Sequence, residues 1–530
     1  MKLFALLLEQ LVYSSSRNQK IRHLITYFSQ EKDPDRGFAV AAIAGTLQIP
    51  NITSSVIRKL IEDRVDPELF RLSYDYVGDL AETVSLVWPS NITSENISLY
   101  AATNTLASSS RSDAPKTLAM LLDRLGQSER FALLKLITGG LRVGVSARLL
   151  KIALGKFGNK NVIDIEELWF GLTPPYTDLF EWLEGKAKLP NVDRALLFRP
   201  VMLAHPIVKN DLKSMSAKEF IAEWKWDGVR VQAIAYKNQS RLYTRTGEDI
   251  SRSFPDVLDQ INWQGVIDGE LLVVQKNTVQ PFEQLQKRLG RKKPTKQILD
   301  QYPAHIMAYD ILENNREDLR SLTFLERRRH LEEWFALERP KRISLSEIIS
   351  VSKWSDLTKY RDLCRLHGYE GLVLKRRQSP YLVGRKKGHW YKWKRDPLSA
   401  ECILMYAKRG HGKRSSYYSD YTFGCWSNNN DNTLMPVGKA YSGYTDDDLL
   451  RLDKYVRDNT TERFGPVRSI NPSLVLEIAF DAVQFSNRHK SGIAMRFPRI
   501  KRVRWDKPAN EADSVEKLRQ MVDQSAFVKI

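Results

Sequence analysis

Apolar positions along this chain fall into two textures. Over residues 1–190 they recur at three- and four-residue spacing, in "AVAAIAGTLQI", "APKTLAMLLDRLG" and "RFALLKLITGGLRVGVSARLLKIALGKF". That spacing collects them on one helical face, and period-two alternation is scarce, so the region is predicted all-α. The opening "MKLFALLLEQLVYSSS" begins like a secretory leader. Its apolar run stops at Leu8, however, and no small-residue cleavage site follows. It reads as a first amphipathic helix with Leu3, Phe4, Leu7, Leu8 and Leu11 on one face. In "ITGGLRVGVSARLL", Gly139, Gly140 and Gly144 break one helix, and Ser146 is placed to cap the next. A glycine-rich turn at a helix start, with Arg142 and Arg148 beside it, suits a phosphate. It equally suits an ordinary helix–turn–helix joint, and spacing alone does not separate the two.

Near 185–205, "KLPNVDRALLFRPVMLAHPI" is proline-spaced and reads as a linker. Short β-rich runs follow, "VRVQAIAYK", "SRLYTRTG", "GVIDGELLVV", "AHIMAYDIL" and "EGLVLKRR", alternating with helical stretches such as "LTFLERRRHLEEWF". From about 398, "ECILMYAKRG", "DYTFGCW", "MPVGKAYSG" and "LVLEIAFDAV" predict a compact β-barrel with the helix "TDDDLLRLDKYVRDN" inserted. The expected chain is multidomain: all-α over 1–195, α+β over 196–397 and β-barrel over 398–530. No apolar run reaches the roughly 18 residues of a membrane span.

Charge changes the picture more than composition does. Eighty-two Lys and Arg against 63 Asp and Glu leave a net charge of +19, which points to a polyanionic partner, nucleic acid first. Cys364, Cys402 and Cys425 are far apart with no C-x-x-C pair. That argues against a disulfide framework or a cysteine-built zinc site and suits a reducing compartment.

Candidate chemistry centres on "EWKWDGVR", where Lys225 lies between Trp224 and Trp226. A lysine nucleophile must lose its proton near neutral pH, and burial with neighbouring cations such as Arg230 would push its pKa down. The plain alternative is a lysine on the exposed face of an edge strand. Further on come Arg245, the Asp268-Gly269-Glu270 run, Tyr309, Glu370 with Lys375, and Lys392 with Lys394 two residues apart. Carboxylates and cations on successive β-segments suit a nucleotide and a divalent ion, and the Tyr309 ring could carry a base.

The ordered series K-x-D-G-x-R (225–230), Arg245, D-G-E (268–270), Y-D-I-L (309–312), E-G-L-V-L-K (370–375) and W-x-K-x-K (390–394) resembles the ATP-dependent DNA ligases. These are covalent nucleotidyltransferases. The closing "RFPRIKRVRWDK" (496–507) resembles the family's last motif, and "FALLKLITGGLRVGVSARLL" and "PFEQLQKRLGRKK" extend the likeness over nearly the whole chain. The resemblance implies a helical DNA-binding domain, an α+β nucleotidyltransferase domain of ATP-grasp-like adenylation type, and a C-terminal OB-fold. It implies a monomer encircling nicked duplex DNA, using ATP and Mg²⁺ or Mn²⁺, in the cytoplasm and nucleoid-associated in a bacterium.

It also implies roles. Lys225 would attack the α-phosphate of ATP to give lysyl-AMP. Glu223 would help read adenine, Arg230 and Arg245 would contact ribose and phosphate, and Glu270 would bind ribose and assist the metal. Tyr309 would stack on the base, Glu370 would hold the metal, and Lys392 and Lys394 would grip the α-phosphate. An upstream phosphate cation falls to Arg385 or Lys386, with Lys386 taken here. Arg496, Arg499, Arg504 and Lys507 would orient pyrophosphate. Nine Lys or Arg and no acid over 375–395 fit phosphate-backbone contact or a solvated surface. Lys408, Arg409, Lys413 and Arg414 lie on a glycine-rich barrel turn where OB-folds often touch nucleic acid. Three scattered cysteines exclude the zinc module of NAD-dependent ligases. A GTP-using mRNA-capping enzyme or an RNA ligase is the alternative, and neither accounts as well for the helical first 190 residues.

Overall fold

A computed structural model describes residues 1–47, 49–89, 95–291, 293–350, 352–410, 416–427, 433–486 and 489–522. They form two compact units. One takes Met1–Glu166, Leu172–Asn191 and Leu398–Val522; the other takes Glu167–Gly171 and Val192–Pro397.

The first 190 residues are helical, as the spacing predicts. Lys2–Tyr13 is the opening helix, burying Phe4, Ala5, Leu7, Leu8 and Leu11. Asp35–Ala44 ends sooner than "AVAAIAGTLQI" suggests, because Gly45 takes a left-handed conformation that terminates it. Gln127–Ile137 starts from Gly126, whose N–H donates to the Glu129 carboxylate at 2.8 Å. After the glycine turn comes Ala147–Gly158, and the Ser146 hydroxyl accepts from the Leu149 N–H at 3.2 Å, the expected cap.

The second unit is built on two sheets. Its strands are β1 (His205–Pro206), β2 (Phe220–Lys225), β3 (Val229–Tyr236), β4 (Gln239–Thr244), β5 (Gly265–Gln275), β6 (Thr278–Val279), β7 (Ala304–Asn314), β8 (Glu317–Asp318), β9 (Ile343–Leu345), β10 (Ile348–Ile349), β11 (Gly371–Arg376) and β12 (Trp390–Lys394). One sheet runs β1-β12-β11-β2-β10; the other runs β4-β3-β5-β7-β8, with β6 on β5 and β9 on β7. The second sheet's core holds Val231, Leu242, Ile267, Leu271 and Ile306, closed by Leu331 and Trp334 of the helix Phe324–Glu338.

The C-terminal β-region comprises β13 (Leu398–Arg409), β14 (Tyr418–Trp426), β15 (Leu434–Ala440), β16 (Thr460–Phe464), β17 (Val467–Ile470), β18 (Val475–Phe480), β19 (Ala482–Phe485), β20 (Ile493–Arg496) and β21 (Arg499–Arg504). β13 is its hub, pairing with β14, β17 and β18. The inserted helix Asp446–Asp458 follows a Thr445–Asp448 capping box and sends Leu452 and Val456 into the core. The sequence pattern does not predict β16 and β17, since "TTERFGPVRSI" has no clean alternation.

Candidate active site

Lys225 ends β2, which lies between β11 and β10, so the edge-strand alternative does not hold. Alternation sorts the side chains of β2, β11 and β12. Phe220, Ala222, Leu372, Leu374, Tyr391 and Trp393 enter a buried core. Glu223, Lys225, Lys375, Lys392 and Lys394 share the other face. Register sets Lys225 opposite Gly371 and Gly371 opposite Lys394; Glu223 faces Val373, and Val373 faces Lys392. A Cβ on Gly371, at φ +144°, would meet the Trp393 carbonyl oxygen at 2.3 Å, so glycine lets the rows close.

The Lys225 ammonium pairs with the Glu370 carboxylate, and Lys394 Nζ lies 3.8 Å from that same group. Burial alone would push the Lys225 amine down. The charges of Glu370, Glu270 and Asp227 outweigh burial and hold it above its ordinary range. This corrects the expectation of a lysine depressed by neighbouring cations. Arg230 is committed elsewhere: Nε and Nη2 donate to Asp268 at 3.0 and 2.6 Å, and Nη1 donates to the Met202 carbonyl at 2.6 Å. Tyr381 donates its hydroxyl proton to the same Asp268 carboxylate at 2.6 Å.

Lys392 behaves as Lys225 was expected to. Burial first, then the charges of Arg385, Lys225 and Lys394, push its pKa down. Arg385 and Lys386 are both exposed, and of the two it is Arg385 whose charge acts on Lys392. Burial pushes the Glu270 carboxyl up to about 8, with Lys225 and Arg230 opposing and Glu370 and Asp227 adding.

Behind Lys225 lies a pair that spacing hinted at without assigning. Glu223 and Lys375 are both 2% exposed in their side chains and meet at 2.8 Å. Lys375 Nζ also donates to the Tyr309 carbonyl at 2.8 Å and lies 4.6 Å from the Tyr309 ring centroid. Burial pushes the Glu223 carboxyl up and the Lys375 amine down, each opposed by the other's charge. Beside Tyr309, Asp310 takes both arms of Arg327 at 2.8 and 3.0 Å, fully buried. Nothing in "LTFLERRRHLEEWF" marks which of its three arginines makes that bond.

Other predicted residues lie apart from this face. Arg245 is exposed in the turn after β4, where the neighbouring Gly247 packs on the Phe170 ring. Arg142 is exposed at φ +41°, and Arg148 Nε lies 3.6 Å from buried Glu166. Lys408 and Arg409 are half-buried at the end of β13; Lys413 and Arg414 fall outside the described residues. In the last motif Arg504 and Lys507 both pair with Glu401, Arg499 pairs with Asp481 at 3.2 Å, and Arg496 ends β20 over the Phe497 ring.

Among the described residues no group of three or more His, Cys, Asp or Glu is arranged to hold a metal ion by itself. Glu370, Glu270 and Asp227 nevertheless all act on Lys225, and all are oxygen donors. Mg²⁺ is commonly held by one or two carboxylates, with waters and substrate phosphates completing its shell, so this open set fits it.

The chain matches three consecutive family descriptions: "DNA ligase N terminus" over 1–155, "ATP dependent DNA ligase domain" over 201–394 and "ATP dependent DNA ligase C terminal region" over 414–507. A probable DNA ligase of Koribacter versatilis (strain Ellin345) is 28% identical over 566 residues, covering 98% of this chain and 96% of that protein. DNA ligase 1 of Korarchaeum cryptofilum (strain OPF8) is 28% identical over 416 residues, covering 77% and 74%. The solved structures titled "Pmar-Lig_PreS3" and "Pmar-Lig_Pre." share the fold at 16% identity, with TM-scores of 0.61 and 0.62. They span 94% and 95% of this chain and 99% of their own. With the lysine, carboxylates and cations of the family's motifs gathered on one face, and all three family regions matched in order, the chain belongs to the ATP-dependent DNA ligase family and is a DNA ligase.

Proposed function

We propose that Lys225 is the nucleophile that accepts AMP, and that the protein seals nicked duplex DNA as a monomer with three working modules, 1–195, 196–397 and 398–530. The observation that carries this reading is the single face bearing Lys225, Glu370, Lys392 and Lys394. The Lys225 nitrogen attacks the α-phosphorus of ATP, an N–P bond forms, and the P–O bond to pyrophosphate breaks. Lys392 and Lys394, both on β12 and separated from β2 by β11, neutralise the α-phosphate oxygens, and Arg385 is a better candidate than Lys386 to join them. In this reading Glu223 helps read adenine and Tyr309 stacks on the base; Lys375 touches both residues. A bound Mg²⁺ or Mn²⁺ would supply charge neutralisation at the phosphates, held by Glu370 with Glu270. Arg230, braced on Asp268, is a positioning residue in this reading, and Arg245 is left as the exposed contact. AMP then passes to the 5′-phosphate at the nick, and the 3′-hydroxyl displaces it. Arg142, Arg148, Lys408, Arg409, Lys413 and Arg414 contact DNA, and Arg496, Arg499, Arg504 and Lys507 orient pyrophosphate. The setting is cytoplasmic, nucleoid-associated in a bacterium.

The amine must first lose its proton, and in the resting site Glu370 holds that proton on. Splitting the reaction through a covalent intermediate keeps the energy of ATP until DNA arrives. The test incubates the protein with α-labelled ATP, GTP or NAD, with and without a divalent ion, followed by denaturing electrophoresis. Label from ATP alone, dependent on the ion and lost in Lys225→Ala, supports the reading. Label from GTP would favour the capping-type alternative, and label surviving Lys225→Ala would remove that lysine from the mechanism.

A further inference from the structure

The two tryptophans flanking Lys225 are two residues apart on one strand and its turn, and both close on the same ring. Trp224 stacks on Tyr369 with centroids 4.4 Å apart and planes 6° apart; Trp226 meets Tyr369 edge-on at 4.9 Å and 83°. Tyr369 immediately precedes Glu370, the carboxylate that pairs with Lys225. The indole nitrogens are also fixed by consecutive residues: Trp224 Nε1 donates to Glu347 at 3.0 Å, and Trp226 Nε1 donates to the Ser346 hydroxyl at 3.2 Å. Ser346 is itself fully buried, and its carbonyl accepts from Arg328 at 2.8 Å.

The place of this cluster gives it a task. The β2–β11 ladder ends at the Lys225–Gly371 pair, with one further bond from the Glu370 N–H to the Lys225 carbonyl at 2.8 Å. Strand ends fray, and a one-residue slip would carry the nucleophile to the other face. The rings continue the registration beyond the last paired residue, from the side of the sheet opposite the reacting groups. We infer that Trp224, Tyr369 and Trp226 form an aromatic clip that sets Lys225 and Glu370 in register for lysyl-AMP formation. They are positioning residues: the clip acts on the nucleophile's placement and touches no nucleotide. The inference deepens the proposed function and rests on Lys225 being the nucleophile.

The experiment compares Tyr369→Leu with Tyr369→Phe, which keeps the ring. Two reactions are read: lysyl-AMP formation from ATP in a single turnover, and sealing of a nick already carrying 5′-adenylate, in which Lys225 forms no bond. Tyr369→Leu is expected to lower the maximal rate of the first about 10- to 100-fold, the scale of a misplaced reacting group. Its half-saturating ATP concentration and its sealing of pre-adenylylated DNA should stay within about threefold, separating lost positioning from lost binding. Tyr369→Phe should restore the first reaction. Lysyl-AMP formation near the unmutated rate in Tyr369→Leu, or equal loss of both reactions, would overturn the clip. If Tyr369→Leu lacks a cooperative melting transition, Trp224→Leu, whose ring is only half-buried, decides by the same two readouts. Absence of label in the unmutated protein would sink the proposed nucleophile and the clip together; label in the unmutated protein and Tyr369→Leu alike sinks the clip alone.

Discussion

At the residue scale the centre of the site is a set of charges each held by another. Lys225 pairs with Glu370, Glu223 with Lys375, Arg230 with Asp268 and Arg327 with Asp310. Two of these pairs are almost wholly buried, where breaking one partner costs far more than the intact pair contributes. Lys375→Met is therefore expected to destabilise the protein by about 3–5 kcal/mol, because the Glu223 carboxylate is left buried and uncompensated. Adding Glu223→Gln to that variant should recover part of the loss, and chemical denaturation of the two variants beside the unmutated protein checks it. Lys225→Ala differs in kind. It removes a half-buried ammonium at a strand end, so self-adenylylation should vanish while nick binding in a gel shift remains; complete loss of DNA binding would contradict this.

At the element scale, strand pairing converts spacing into a site. β2, β11 and β12 each place alternate residues on the reacting face, so a one-residue slip of β2 would turn Lys225 away and one of β12 would turn Lys392 and Lys394 away together. Gly371→Ala should therefore be worse than a cavity-sized change suggests, since the added Cβ strikes the Trp393 carbonyl oxygen at 2.3 Å. A loss of about 2 kcal/mol or more, with reduced self-adenylylation, is expected, read by melting and by labelling. β7 carries a separate stability element. His305 is half-buried against the Ser344 hydroxyl at 2.9 Å, and burial, then Arg342, lowers its pKa from 6.5 to about 4. Above pH 6.5 neither the folded nor the unfolded chain binds this proton. Between 6.5 and about 4 the unfolded chain takes it up and the fold does not, so stability falls as pH falls. The contribution is at most about 3 kcal/mol, and His305→Gln should flatten denaturation midpoints across that window.

At the scale of the whole molecule, a net charge of +19 meets a polyanionic substrate. Contacts that release counterions weaken steeply with salt, so nick sealing should fall by about an order of magnitude or more between roughly 50 and 200 mM salt. A flat response would count against extensive phosphate contact. No helix of the described residues is long and apolar enough to cross a membrane. The sequence by itself determined the helical first third, the strands that carry the motifs, and the identity of Lys225, Glu370, Lys392 and Lys394 as a set. Local periodicity and ordered short motifs record these directly, because they depend on neighbours along the chain. Only the tertiary structure decided which charge faces which. It gave Arg230 to Asp268, Glu370 to Lys225, Lys375 to Glu223 and Tyr369 to two tryptophans, across separations of 38 to 152 residues. Such pairings are set by strand register and burial, and a lysine's pKa follows from the carboxylates the fold brings to it rather than from the residues beside it in sequence.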